Sequence, residues 1–309
     1  MLLRYVFFRA LMLIPVSISI SIVIFMIVHL LPGDPIDNLI RVGSSPDERA
    51  ALVSKYGLDQ PLFVQYFRWI GAMFQGDFGD AIVLRRPVSD LIGQNLPYSL
   101  RLGALAFGFS SIVGIALGTI SATTRSAVVE QFVRGFILLG STVPGFWLAL
   151  LMILLFAVQL QWFPVSGAKT WSSLVLPVLT IGFGGVALVA RVTRVALLDV
   201  RREDFVTLLH AKGLPSRTIL FRHLMPHAML PVVTILALRI GWILGGAVTV
   251  EFVFGRPGLG SLLIRALGQR DYPVVQGCLL MLALAVMLGT LIGDVAQAAM
   301  DPRIREAKT

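Results

Sequence analysis

Three of the chain's four histidines, His210, His223 and His227, crowd one polar segment, and imidazole is the commonest transition-metal ligand. That segment is expected to bend at Pro215 and Pro226, so the three rings do not share one helix face and no metal site is expected. His29 stands apart near the end of the first apolar run, in an interface role. Serine, histidine and aspartate all occur, but neither G-x-S-x-G nor H-E-x-x-H does, which leaves no nucleophile–base pair, no zinc helix and no expected catalytic residue. A phosphate-cradling loop needs G-x-x-x-x-G-K-[ST]. The nearest fragment, Gly167-Ala168-Lys169-Thr170, lacks the first half. The sole cysteine, Cys278, excludes an intrachain disulfide and a C-x-x-C site. No cofactor is expected in this chain.

What remains is a polar segment with strong local grammar, from Arg201 to Pro226. Glu203 and Asp204 can open a short helix, where the dipole favours acids. Thr207, Leu208, Leu209, His210, Ala211 and Lys212 continue it. Gly213 suits a left-handed C-terminal turn, and after Leu214 Pro215 stops the helix. A second helical pattern, beginning at Ser216-Arg217, runs to Pro226. A compact helix–turn–helix of this kind suits a push received from a partner protein. A basic loop beside anionic lipid headgroups accounts for the same composition.

The elements that carry this segment are apolar. Of 309 residues, 56% are hydrophobic and only 14% charged, against about 25% charged in a soluble domain. That composition fits a polytopic membrane protein. It excludes a disordered chain, a secreted disulfide scaffold and an ordinary cytosolic enzyme. A spanning helix needs about 20 mostly apolar residues, and six stretches qualify: Leu11–Leu31, Ser99–Ser121, Phe132–Leu160, Leu174–Leu197, Ala228–Val250 and Gln276–Ala299. The first follows Arg4 and Arg9 as a signal peptide would. Its core is too long, however, and Leu31-Pro32-Gly33-Asp34-Pro35 follows instead of a cleavage site, so it is expected to be retained.

The net charge is +9, and its placement orients the chain. Arg125, Arg134, Arg191, Arg194, Arg201, Arg202, Lys212, Arg217 and Arg222 fall on the side of the N-terminus, with Arg303, Arg305 and Lys308 at the other end of the chain. The two short opposite loops hold only Lys169, Arg256, Arg265 and Arg270. Basic residues favour the cytoplasmic side. The expected fold is therefore all-α with six transmembrane helices and both termini cytoplasmic, a single membrane domain over 1–309. Residues 199–227 lie inside and 32–98 outside.

In the outer segment Ser45-Pro46-Asp47-Glu48 reads as a capping box and Gly57 as a stop. Asp59 and Pro61 can begin another helix, with Leu62, Tyr66, Trp69 and Met73 at helical spacing. A helical cap is favoured over a substrate-selecting lid. Gly114/Gly118, Gly241/Gly245 and Gly289/Gly293 form G-x-x-x-G pairs, which permit close helix approach in lipid. Gly182-Phe183-Gly184-Gly185 is a candidate break in the fourth span.

Gly213 is followed thirteen residues later by Pro226, and the segment resembles the cytoplasmic loop of ABC-importer permeases. Ala211-Lys212-Gly213-Leu214 and His227-Ala228-Met229-Leu230-Pro231 resemble the B-type membrane subunit of dipeptide, oligopeptide and nickel systems. Leu31-Pro32-Gly33-Asp34-Pro35, Gly76-Asp77-Phe78-Gly79, Ala190-Arg191-Val192-Thr193-Arg194, Pro257-Gly258-Leu259-Gly260, Arg270-Asp271-Tyr272-Pro273 and Asp301-Pro302-Arg303-Ile304-Arg305 follow in the family's order. The resemblance implies the type I importer permease fold. It also implies a homologous second permease, two ATP-binding subunits that hold ATP and Mg, a periplasmic substrate-binding protein and an inner-membrane location, with no nucleic acid. Residues Glu203 to Pro226 would then couple to an ATPase. Thr207-Leu208-Leu209-His210 replaces the family's usual Arg-Thr-Ala-Arg, so the matching groove on the ATPase should differ. Di- or oligopeptides are the expected cargo, with nickel, glutathione or opine as alternatives. An ATP-independent secondary transporter is the rival class.

Three charges in or next to the fifth and sixth apolar runs call for a role. Arg239 sits near the middle of the fifth, where arginine costs about 2.5–3.5 kcal/mol on insertion scales. Either it lines the pathway and attracts an anionic part of the substrate, or it pairs with Asp294 or the partner permease. Asp294 reads as a packing or coupling residue, and Glu251 as a brace for the Gly255-Arg256-Pro257-Gly258 loop.

Overall fold

The computed structural model describes residues 2–30 and 59–300, together with 47, 50, 53 and 54. The capping box at Ser45, Gly57, the Leu31–Pro35 motif and Asp301–Arg305 lie wholly or largely outside the described residues. Ten helices are named here: α1 Leu2–Leu30, α2 Leu62–Phe74, α3 Val88–Thr123, α4 Ala127–Thr142, α5 Gly145–Met152, α6 Ser172–Val200, α7 Asp204–Ala211, α8 Met225–Val253, α9 Leu259–Gln269 and α10 Tyr272–Met300. Wider π-helical turns extend α5 over Ile153–Gln159 and precede α8 over Ile219–Leu224.

Among the described residues, five helices are long and apolar enough to cross a bilayer, or six if the bent pair α4–α5 is one span. The third expected span is thus not straight. It folds by 110° between α4 and α5. Pro144 has no N–H to donate and drives the residue before it out of the helical region, and Val143 is extended at φ −74, ψ 121. Ser141 and Thr142 also turn their hydroxyls onto the carbonyls of Ile137 and Leu138, at 2.7 and 3.0 Å. The candidate break at Gly182–Gly185 is absent, since α6 runs through it unbroken.

The fold divides into two units. One is the described part of Met1–Arg9, Leu100–Arg256 and Val286–Thr309. Its helices approach through glycine. A Cβ on Gly114 or Gly118 of α3 would overlap Val189 or Thr193 of α6, and one on Gly289 of α10 would reach the backbone of Gly241 in α8 at 3.0 Å. Without a hydrophobic drive between helices in lipid, such backbone approach supplies the packing. Gly245 has open space beside it and serves no such approach.

The other unit is Ala10–Ser99 with Pro257–Ala285. There Trp69 and Met73 of α2 pack with Ile24 of α1 and Leu280 of α10, and Tyr66 Oη lies 2.8 Å from Ser21 Oγ. Val88, Leu91 and Ile92 of α3 form a second cluster with Leu259, Leu262 and Leu263 of α9 and Val275 and Cys278 of α10. The opposite edge of α2, with Phe63, Phe67 and Phe74, is exposed. His29 stacks on Phe25 with ring centroids 4.1 Å apart.

Candidate functional site

The polar segment folds into a helix locked at its C-terminal end. Glu203 takes extended backbone as the N-cap of α7, with no side-chain capping bond. Glu203 and Asp204 are both exposed, where the helix dipole favours negative charge. At the far end Gly213 sits at φ +73. Its N–H donates to His210 O at 2.9 Å, and that of Leu214 donates to Leu209 O at 3.3 Å. These are the two crossed bonds of a Schellman turn, which needs a residue tolerant of the left-handed region. Leu209 and Leu214 then pack against the same apolar cluster, as that turn favours.

The cluster ties α7 to three long helices. Val206, Ile219 and Leu224 are buried with Ala122 of α3, Ala196 and Leu197 of α6, and Ala228 of α8. Phe205 adds a ring contact to His227, centroids 5.4 Å apart. The outward side carries Thr207, Leu208, His210, Ala211, Lys212 and Gly213, all exposed. Leu208, 57% exposed, is the large apolar residue on that face. Pro215 is extended and starts the next helical turn at Ser216, where Arg217 is exposed. The bend expected at Pro226 is absent: helix continues from Ser216 through the π turns into α8. Pro226 follows directly on the π-helical turns of Ile219–Leu224, a local change of register that accommodates a position with no N–H to donate. His210 and His227 each direct Nδ1 to the carbonyl four residues back, at 2.8 Å.

The internal charges are held elsewhere. Arg239 of α8 is 7% exposed, with Nη1 3.5 Å from Ser110 Oγ of α3. Its guanidinium lies on Gly185 of α6, where any Cβ would overlap both Nη atoms. Asp294 pairs with Arg9 at 3.1 Å and not with Arg239. Glu251 and Arg256 are enclosed, 0% and 1% exposed. The N–H of Arg256 donates to Glu251 O at 2.8 Å, and Arg256 Nη1 lies 3.3 Å from Gly167 O.

Three polar residues were missed in the sequence. Asn95 and Ser99 of α3 accept from the N–H groups of Gly258 and Leu259 at 3.1 and 2.8 Å, capping α9. Their spacing of four on one helix was the available signal. Asp271, 2% exposed, accepts from Ile82 and Val83 N–H at 3.0 and 2.9 Å. Nothing local marks that partner. The motifs around Pro257 and Arg270 are therefore built into the packing of the second unit.

Comparison with known proteins gives this architecture its family. The family described as the binding-protein-dependent transport system inner membrane component matches residues 114–306, and the corresponding N-terminal family matches residues 2–88. The glutathione transport system permease protein GsiC of Escherichia coli K12 is 39% identical over 308 residues, covering 98% of this chain and 99% of the relative. Its counterpart in Salmonella paratyphi A is 38% identical over the same length. Among solved structures, the inward-facing MetNI methionine ABC transporter superposes with TM-score 0.58 at 19% identity, covering 68% of this chain and 96% of that one. An amino acid ABC transporter crystallised with histidines gives 0.53 at 15%, covering 70% and 94%. The solved structures share the fold, and the sequence matches run nearly end to end: this chain belongs to the multi-span inner-membrane permease subunits of binding-protein-dependent ABC importers, which are not themselves catalytic.

Proposed function

We propose that this permease forms half of a translocation pathway for short peptides, and that ATP-driven motion enters it through α7. The supporting observation is mechanical. A force on the exposed face of Thr207 to Gly213 meets a helix closed by a Schellman turn and seated on a cluster shared by α3, α6 and α8. Because packed interiors transmit displacement rather than absorb it, the ends of α6 and α8 move with α7.

In this reading α7 and both termini face the cytoplasm, consistent with the excess of Lys and Arg on that side. The partners are a homologous second permease, two ATP-binding subunits that hold ATP and Mg, and a periplasmic binding protein. Closure of the ATPases pushes α7, the helices rock, and the path opens alternately to each side without any bond being made in this chain. Short peptides are favoured because relatives 39% identical along the whole chain carry glutathione in their names, and glutathione is a tripeptide. The test is reconstitution of the complete complex in liposomes. Uptake of glutathione or trialanine that requires both ATP and the binding protein is expected. Equal uptake by the permease alone refutes the coupling role and favours a secondary transporter.

A further inference from the structure

We propose that Arg239, with Ser110 beside it and Gly185 beneath it, is an anion-receiving site that takes a carboxylate of the transported solute. This inference rests on the short-peptide reading above and specifies which part of the peptide is read.

Three observations carry it. Arg239 as a residue is more than nine-tenths buried, yet no ion pair forms between it and a described carboxylate. Asp294, the carboxylate expected from the sequence to meet it, is held by Arg9. Arg239 Nη1 instead meets a neutral hydroxyl, Ser110 Oγ, at 3.5 Å, longer than the usual 2.7–3.2 Å of an N–H···O bond. Charges held inside proteins are ordinarily paired, so a fork of donors with so weak a contact lacks its natural acceptor.

The surroundings suit such an acceptor. Ser110 donates its own hydroxyl to Phe107 O at 3.1 Å, which leaves its lone pairs for Arg239. Gly185 supplies the volume for the guanidinium, since a Cβ there would overlap it. Arginine's planar fork matches a carboxylate in two parallel bonds, a geometry lysine cannot supply. The two helices that meet here midway along their lengths, α6 and α8, are also tied to α7 by the cluster at Ala196, Leu197 and Ala228. Movement of α7 would therefore change the access of solute to Arg239.

The test uses the complete transporter in liposomes with two probes, trialanine and trialanine amide, which differ in the terminal carboxylate. Initial uptake rates are normalised to assembled complex for wild type, Arg239→Gln and Arg239→Lys. Relative to wild type, Arg239→Gln should reduce the acid-to-amide ratio about tenfold or more, the scale of a lost charge-assisted pair, and Arg239→Lys should give an intermediate ratio. Equal loss of both probes, or no loss of either, overturns the proposal and leaves Arg239 a structural role. If Arg239→Gln does not assemble, an Arg239→Lys ratio equal to that of wild type overturns it. If wild type carries neither peptide, the short-peptide reading falls and this inference with it. If both are carried with an unchanged ratio, only this inference falls.

Discussion

Replacing Gly213 tests the turn that closes α7 while leaving its packing intact. The glycine sits at φ +73, and a Cβ built there meets nothing within 4 Å. An added side chain thus costs backbone energy alone, about 1–2 kcal/mol for an L-residue in the left-handed region. That is a factor of about 5–30 between the closed and unravelled turn. Asparagine tolerates the region best after glycine, and a β-branched residue least. The expected order of ATP-coupled uptake is Gly, then Asn, then Ala, then Val, with Gly213→Val about tenfold or more below wild type. The assay is initial uptake with binding-protein-stimulated ATP hydrolysis, measured in liposomes at equal amounts of complex. Side-chain bulk against a docked ATPase would instead place Ala above Asn. That order, or Gly213→Val at the wild-type rate, would refute strain at this turn as the cause.

Other perturbations separate docking from folding. Leu208→Asp removes the apolar knob of α7 and should weaken ATPase association by about 2 kcal/mol, the scale of burying one leucine. Titrated co-purification reads this, and the thermal stability of the permease should not change because Leu208 is 57% exposed. Asp271→Ala strands the N–H groups of Ile82 and Val83 and should cost about 3 kcal/mol, seen as a lowered Tm; Asp271→Asn, which keeps one acceptor, should lose less. A double-mutant cycle of Arg9→Ala and Asp294→Ala should give a coupling of about 1 kcal/mol, modest because the Arg9 side chain is 39% exposed.

Much of the architecture was legible because lipid imposes length and apolarity together. Five of the six apolar runs fall on α1, α3, α6, α8 and α10. The left-handed turn at Gly213 was readable from glycine and proline placed after a short amphipathic stretch. The fold at Pro144 was hidden because hydropathy runs unbroken across it, although Val143-Pro144 carried the signal. The helix α9 escaped because its 11 residues are too few to register as a span. Pro226 misled because the π turns just before it let the helix run on past a missing N–H. The Arg9–Asp294 pair joins residues 285 apart, and no local pattern reports such a pairing. Of the three glycine motifs, the one at Gly241 and Gly245 uses only its first member in packing, a distinction spacing alone does not make.

The most direct test of the coupling role is a cross-link. Cys278 is buried, so Leu208→Cys places an accessible thiol on the outward face of α7, and Phe74→Cys, at a position 87% exposed in α2, serves as the control expected on the opposite side of the membrane. With the complete complex and a short bifunctional thiol reagent, the expected product joins Leu208→Cys to an ATP-binding subunit, while Phe74→Cys yields none. A product from Phe74→Cys and none from Leu208→Cys would contradict the assignment of α7 as the point where the motor engages the permease.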